Sequence, residues 1–190
     1  MSVATGSLVY VFALALGLQI SSVIDIGGGP GTILVGLRER RPQIAATLME
    51  LPTVAAVAQV ILSEYGANDV VVEAGDITVA PSIGRHDLAI LKAVVQVLPP
   101  DQARSSILNA GRCLTPGGEI AIAGWDVVDD DRLGPPEGVF LNLTFLNLYR
   151  HGESYTEGQY QAWMTEAGFR DISRSRLTDG CTLFRARLMS

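Results

Sequence analysis

Two residue types that often carry protein chemistry are scarce in this sequence. Its 190 residues include two cysteines, Cys113 and Cys181, and two histidines, His86 and His151. Cysteines this far apart form neither the clustered ligand set of a zinc site nor the disulfide framework of a small secreted domain. The sequence therefore predicts two buried, reduced cysteines, no metal site and a cytoplasmic protein.

Positive charge is also scarce. Lys and Arg number 14 against 20 Asp and Glu, which gives a formal net charge of −6. Nucleic acids and anionic membrane surfaces bind proteins through basic faces. The composition therefore argues against both as partners and favours a small molecule.

The sequence contains no hydrophobic run long enough to cross a bilayer. Its most apolar stretch, residues 7–20, is shorter than the roughly 20 residues that a spanning helix needs. No basic segment precedes it, as one would in a signal peptide. We expect residues 1–20 to form an apolar helix packed on the protein, or a remnant of a linker to a further domain, and residues 21–190 to form one domain.

Glycine, in contrast, is concentrated at one place. The apolar run Val23–Ile26 contains Asp25, and four of the next five residues are glycine: Gly27, Gly28, Gly29 and Gly31. A periodic apolar segment follows from Thr32. This order predicts a strand over 22–26, a tight turn, and a helix over 32–40 whose first amides offer free donors.

Further strands and helices alternate along the chain. This alternation predicts an α/β fold with a Rossmann-like doubly wound sheet, mostly parallel, with an antiparallel C-terminal strand. We expect further strands over 44–49, 70–73, 87–91, 119–123, 171–176 and 182–188. We expect further helices from Thr53 as N-cap, with Val54, Val57, Ala58 and Ile61 facing the core, and over 101–114, 139–149 and 156–167, the last capped by Thr156.

The spacing of the glycine loop limits what it can bind. A phosphate-binding loop needs Lys and then Ser or Thr after its last glycine, and neither is present. A dinucleotide-binding loop needs a sixth-position glycine, where this chain has Thr32 when counted from Gly27. The acid at Asp25 would repel a pyrophosphate and suits a ligand that carries an ammonium or sulfonium group.

Two more acids are predicted to follow the next strands. Glu50 can accept both hydroxyls of a ribose, and its alternative is a solvated turn residue. Asp76 can accept from an adenine amino group with Ile77 against the ring, or it can simply cap a turn after Gly75. Together with the glycine loop, these acids favour an adenosine ligand without a pyrophosphate, such as S-adenosylmethionine.

Several blocks of the sequence then support a family resemblance. The blocks are residues 23–31, 48–54, 75–76, 91–92, 114–118 and 156–169. They resemble the catalytic domain of class I S-adenosylmethionine-dependent O-methyltransferases, which include plant caffeate and isoflavone enzymes and bacterial polyketide-tailoring enzymes. The resemblance implies S-adenosyl-L-methionine as cofactor, with these binding residues: Asp25, Gly27, Gly29, Gly31, Glu50, Leu51, Gly75, Asp76, Ile77 and Lys92.

The chain departs from that family at the positions of the catalytic base and its supports. Gln96 replaces the family's histidine, and a glutamine cannot take up a proton at neutral pH. Gly124 and Ser154 stand where plant members carry carboxylates. The sequence therefore leaves Gln96 as an orienting group and His151 or Asp126 as substitute bases, although both are also typical solvated loop residues.

The resemblance also implies an acceptor pocket and a partner. The segment after Gly124 would supply aromatic side chains to the acceptor, namely Trp125, Phe140, Phe145 and Tyr149, unless these are ordinary core residues. Family members carry an N-terminal dimerisation domain, so we expect a homodimer or a partner chain that supplies it. The expected activity is O-methylation of a small aromatic or secondary metabolite. The alternatives are a family member repurposed for non-methylating chemistry, such as hydroxylation or cyclisation, and a degenerate domain.

Overall fold

A computed structural model describes residues 19–125, 127–149, 151–177 and 180–189. Most of the predicted N-terminal segment 1–20 therefore lies outside the described residues. The first half of the chain forms these elements: β1 (Ser22–Ile26), α1 (Thr32–Arg40), β2 (Ala45–Glu50), α2 (Pro52–Glu64) and β3 (Val71–Ala74). The bounds of β1 and α1 match the prediction to the residue.

The second half begins at the centre of the sheet and ends one strand in from its edge. It forms these elements: β4 (His86–Lys92), a 3-10 turn (Val95–Val97), α3 (Pro100–Arg112), β5 (Leu114–Gly124), α4 (Pro136–Leu148), α5 (Glu157–Glu166), β6 (Phe169–Arg176) and β7 (Thr182–Leu188). Of the helices that the described residues form, none is long and apolar enough to cross a membrane.

The strands form one seven-stranded sheet in the order β3-β2-β1-β4-β5-β7-β6. The pairs among β1 to β5 are parallel, whereas β7 is antiparallel to both β5 and β6. This arrangement confirms the predicted doubly wound sheet with an antiparallel C-terminal strand. The strand order reverses between β1 and β4, and ligands of such sheets bind beyond the carboxyl ends of the strands at that point.

The core consists of two apolar layers, one on each face of the sheet. Ile24 and Ile26 of β1 belong to the layer beneath α3 and α5, while Val23 belongs to the layer beneath α1 and α2. Successive side chains of a strand point to opposite faces, so a strand covered on both sides is apolar throughout. Asp25 interrupts that pattern in β1, and it does so at the ligand-binding end.

The prediction for the start of α2 was wrong. Its N-cap is Leu51, because Pro52 occupies the first helical turn, and Thr53 already lies inside the helix. The buried residues are therefore Ala55, Ala58 and Leu62, and the Val57 side chain is 57% exposed.

The end of α3 also differs from the prediction. The helix ends at Arg112, and Leu114 already pairs with His86 at the start of β5. Residues 116–118, a proline and two glycines, therefore lie within β5, where the register with β4 shifts between His86 and Leu88. The glycines there accommodate a bulge in the strand.

At the C-terminal end of the sheet, β6 forms one edge. Its register with β7 shifts between Arg170 and Ser173, where Asp171 has a φ of 55°. Arg176 of this strand pairs with Glu137 of α4 at 3.0 Å. The preceding helix α5 begins at the predicted cap, since Thr156 accepts from the Gln159 amide and the Gln159 side chain accepts from the Thr156 amide.

Candidate functional site

The glycine loop leaves β1 at the point where the strand order reverses. The Gly27 amide donates to the Met49 carbonyl at 2.8 Å, which joins the loop to β2. Gly27 has a φ of 69°, and a Cβ atom at this position would lie 2.6 Å from a methyl carbon of Val94. Only glycine fits this close approach. Gly29 and Gly31 also adopt positive φ values, of 58° and 80°.

Asp25 lies fully buried beneath this loop. Neither of its carboxylate oxygens has a hydrogen-bond partner among the described residues. Its pKa is raised from 3.8 to about 7 because burial desolvates the charged form, and the Glu50 charge adds to this rise while Lys92 opposes it. An acid in this state is stabilised strongly by any cation or donor that reaches it.

Glu50 forms hydrogen bonds with residues that follow β1, β2 and β3. Its Oε1 accepts from the Gly29 amide at 2.8 Å and its Oε2 from the Leu51 amide at 2.9 Å. Its backbone carbonyl accepts from the Gly75 amide at 2.8 Å. Both side-chain oxygens of Glu50 are thus held by backbone donors, and each keeps a further lone pair that can accept another hydrogen bond.

Asp76 and Ile77 follow β3 at the same edge. Oδ1 of Asp76 accepts from the Thr78 amide at 2.9 Å and from the Thr78 hydroxyl at 2.7 Å. The turn-capping role of Asp76 is therefore present. The Ile77 carbonyl accepts from the Asn109 amide group at 2.7 Å, which fixes the loop against α3.

A cavity of about 370 Å³ opens between these loops. It is lined by predicted cofactor residues from three loops: Gly27, Glu50, Leu51, Gly75, Asp76 and Ile77. The predicted residues Asp25, Gly29, Gly31 and Lys92 do not line it. Sequence reasoning missed these further lining residues: Ile26, Met49, Thr78, Ala93, Val94, Val97, Leu98 and Gln102.

Some of the lining residues that were missed could have been predicted from their position in the sequence. Residues 93–98 directly follow Lys92 at the carboxyl end of β4, and that edge is where ligands of doubly wound sheets bind. The sequence contains no indication of Gln102, because this residue does not follow a strand and reaches the cavity from the first turn of α3.

Lys92, Gln96 and Trp125 connect the carboxyl ends of β4 and β5. The Lys92 ammonium lies 4.8 Å from the centroid of the Trp125 ring, within the range of a cation–π contact. The Trp125 amide donates to Oε1 of Gln96 at 3.3 Å. The Gln96 side chain is only 7% exposed, so this amide group is held in a buried position.

Ser154 has a structural role in this chain. Its hydroxyl donates to the Gly138 carbonyl at 2.9 Å, and its amide donates to Oδ1 of Asn142 at 2.8 Å. Both bonds fasten the first half of α4 to the loop before α5. Gly124 ends β5 and pairs with Thr182 of β7.

Of the two predicted substitute bases, the structure describes His151. Asp126 lies outside the described residues. His151 is exposed, but the loop that carries it passes next to the Gln96 backbone, since a Cβ atom on Gly152 would lie 2.9 Å from the Gln96 carbonyl oxygen. His86 begins β4, at the end of the strand that faces away from the cavity.

The predicted acceptor-binding aromatics do not line the cavity. Phe145 is buried and its ring lies 6.1 Å from that of Tyr149, whereas Phe140 is 69% exposed. Leu143, Leu146, Leu148 and Tyr149 add further exposed apolar surface on or next to α4. Across the described part of the chain, no three His, Cys, Asp or Glu side chains are grouped so that they could hold a metal ion.

Comparison with known proteins identifies relatives of this chain. The profile of the O-methyltransferase domain family matches residues 2–170. A 3-hydroxy-5-methyl-1-naphthoate 3-O-methyltransferase of Streptomyces sahachiroi is 28% identical over 167 residues, which are 86% of this chain and 48% of the relative. A tetracenomycin polyketide synthesis 8-O-methyl transferase of Streptomyces glaucescens is 26% identical over 166 residues, which are 87% of this chain and 48% of that relative.

Solved structures confirm the fold. The structure of PigF with SAH superposes with a TM-score of 0.85 at 22% identity, covering 97% of this chain and 55% of that one. The chain thus spans about half the length of the relatives that it matches.

Proposed function

Since this chain belongs to the O-methyltransferase domain family, we propose that it binds S-adenosyl-L-methionine and transfers the methyl group to a hydroxyl of a small aromatic secondary metabolite. The observation that carries this proposal is the cavity of about 370 Å³ between the glycine loop, Glu50 and Asp76. The cofactor would supply a methyl group activated by a sulfonium. The named relatives act on naphthoate and polyketide compounds, which supports an aromatic acceptor.

The residues around the cavity fit such a cofactor. Glu50 presents a carboxylate at the end of β2, where it can accept from ribose hydroxyls, and Asp76 with Ile77 can hold the adenine. Asp25 supplies a buried carboxyl without partners in the described structure, and it suits the cationic end of the ligand. Gly27, Gly29 and Gly31 let the backbone approach the ligand closely, and Lys92 lies at the adjacent strand end.

The acceptor side of the site is proposed from sequence and placement. We assign Gln96 to orienting the acceptor oxygen, and His151 and Asp126 remain candidates for a base. Trp125, Phe140, Phe145 and Tyr149 would line the acceptor pocket together with residues of a partner. The exposed apolar surface of α4 supports a homodimer or a partner chain that supplies an N-terminal domain.

We further infer that residues 21–190 form the cofactor-binding catalytic domain and that residues 1–20 are an apolar helix or a linker remnant. The buried thiols of Cys113 and Cys181 support a cytoplasmic location, where cysteines stay reduced.

Calorimetric titration with S-adenosylhomocysteine tests cofactor binding. We expect Glu50→Gln to weaken binding at least about tenfold, the effect of losing one charge-assisted hydrogen-bonding group. Glu64→Gln on the exposed end of α2 is the matched control and should bind like the parent chain. Equal binding by both variants would remove Glu50 from the site.

Mass spectrometry of a naphthol and phenol panel, incubated with S-adenosylmethionine, tests methyl transfer. The expected result is a product heavier by one methylene unit, with one S-adenosylhomocysteine formed for each product. Tight cofactor binding without any methylated product would overturn the proposed reaction.

One observation favours a second candidate. Both Gln96 and Ser154 use polar atoms in internal hydrogen bonds, at positions where the family has its base and a supporting acid. A repurposed member would convert an acceptor without consuming the cofactor. Turnover without S-adenosylhomocysteine would identify such a member, while a degenerate domain would show no turnover at all.

A further inference from the structure

We propose that the acceptor hydroxyl binds already ionised, and that Gln96 holds the oxyanion as a hydrogen-bond donor instead of removing a proton. This inference rests on the proposed methyl transfer and adds a substrate class to it. The class consists of aromatic hydroxyls acidic enough to lose their proton to water at neutral pH.

The orientation of the Gln96 amide is the first reason. Its oxygen accepts from the backbone N–H of Trp125. Because a backbone N–H can only donate, this contact fixes which side-chain atom is the oxygen, and the side-chain nitrogen is available as a donor to another group. A side-chain NH2 group has two donors and no acceptor. At 7% exposure the side chain is held between the ends of β4 and β5, at the ligand edge of the sheet.

The charged groups around this edge are the second reason. Lys92 places a cation beside Trp125, whose amide holds Gln96. Asp25 has a pKa of about 7 and therefore carries only part of a negative charge at neutral pH. Further titratable groups among the described residues near this end of the sheet include Glu50 on β2, Asp76 after β3, and Tyr149, His151 and Glu153 on the segment that packs on the Gln96 carbonyl.

Of the described side chains that could exchange a proton with the acceptor, three are placed elsewhere or already engaged. The Ser154 hydroxyl donates to the Gly138 carbonyl, and Glu50 accepts from two backbone amides. His86 lies at the end of β4 that faces away from the cavity. An acceptor that arrives as an anion needs none of these groups.

The proposed step balances without a base. The acceptor gives its proton to bulk water before it binds. The oxyanion lone pair then forms a bond to the methyl carbon while the carbon–sulfur bond breaks, and that electron pair stays on sulfur. Gln96 acts by holding the anion in line, with the charge of Lys92 nearby, so positioning supplies the rate enhancement.

The first test reads the ionisation state of a bound acceptor directly. The probe is 4-nitro-1-naphthol, whose absorption spectrum differs between its neutral and ionised forms, titrated into protein saturated with S-adenosylhomocysteine. We expect the spectrum of the ionised form even below the pH at which the free probe ionises. We expect Gln96→Leu to weaken this binding at least about tenfold, as for other donors to a charged group, while Gln59→Leu on the exposed face of α2 leaves it unchanged. Binding as the neutral naphthol, or no binding, overturns the inference.

The second test compares the pH dependence of methyl transfer for two acceptors, the nitronaphthol and the less acidic 1-naphthol. We expect kcat/KM to rise about tenfold per pH unit and to level off at each acceptor's own ionisation. Gln96→His should restore transfer to 1-naphthol near neutral pH. If the kcat/KM profiles of both acceptors instead level off at the same pH, and this feature disappears in His151→Gln, then His151 acts as the base. If neither acceptor is methylated, the proposed function fails, and the bound spectrum still decides the inference.

Discussion

The carboxyl group of Asp25 lies directly against the backbone of Gly28. A Cβ atom built on Gly28 would lie 2.2 Å from Oδ2 of Asp25. We therefore expect Gly28→Ala to lower the free energy of unfolding by about 1–3 kcal/mol, since the added methyl group would overlap the buried carboxyl. Urea unfolding followed by circular dichroism measures the change.

A double-mutant cycle separates this contact from other causes. In an Asp25→Ala background the Gly28→Ala substitution should cost much less, because the opposing carboxyl is gone. Gly29→Ala is the matched control: its Cβ would meet open space, but its φ of 58° disfavours a side chain. An equal cost for Gly28→Ala in both backgrounds would show that Asp25 is not the obstacle.

Asp25 also predicts how stability depends on pH. Its pKa is 3.8 in the ordinary, solvated state and about 7 in the folded protein, so the folded state holds the proton more tightly between these values. Its contribution to the free energy of unfolding is therefore largest below about pH 4, falls by about 1.4 kcal/mol per pH unit as the pH rises, and levels off above about pH 7.

Asp25→Asn should remove the decrease in the free energy of unfolding that Asp25 causes as the pH rises. Relative to the parent chain, the variant should gain up to about 4 kcal/mol at pH 8, a gain that shrinks towards zero near pH 4. Urea unfolding at pH values from 4 to 8 measures the difference, and Asp171→Asn on the exposed strand β6 serves as the control. A gain that is the same at every pH would contradict the burial of an ionising carboxyl.

The hydrogen bonds of Ser154 are expected to stabilise α4. Ser154→Ala removes the hydrogen bond to the Gly138 carbonyl and should cost about 1 kcal/mol. It should also speed hydrogen exchange in α4 more than in α5. Ser154→Glu, which restores the acid of plant family members, should cost several kcal/mol, because the side chain is only 1% exposed and a buried charge is expensive. Ser63→Ala on the surface of α2 should change neither measurement.

The capping box of α5 predicts a local effect. Thr156→Ala removes the acceptor of the Gln159 amide and should lower the free energy of unfolding by about 1 kcal/mol. Thr156→Ser keeps a hydroxyl and should retain most of the stability. If Thr156→Ser loses as much as Thr156→Ala, the methyl group and not the cap would be responsible.

The sequence predicted the elements whose causes are local. β1 and α1 follow from an apolar run, a glycine turn and a helical period, all within about twenty residues. The start of α2 failed because Pro52 and Thr53 gave competing local signals, and the proline decided the boundary. For α4 the apolar residues lie on several faces, so the sequence could not show that Phe145 would be buried and Phe140 exposed.

The candidate site was predictable in its residue types and not in its contacts. The acids at Asp25, Glu50 and Asp76 follow from strand ends, which a pattern can place. The bond from the Gly29 amide to Glu50 joins residues that are 21 positions apart, and the bond from Trp125 to Gln96 joins residues that are 29 positions apart. Such contacts depend on how the strands assemble.

The bulge and charges of β6 affect how the protein behaves at high concentration. An outermost strand presents unpaired backbone groups that can template the addition of a strand from another chain. Here Asp171 has a φ of 55° where the register shifts, and the exposed side chains of Arg170 and Asp171 are charged. A second copy approaching along this edge would meet it in poor register and would have to desolvate these charges. This side of the sheet is thereby protected against amyloid-like stacking.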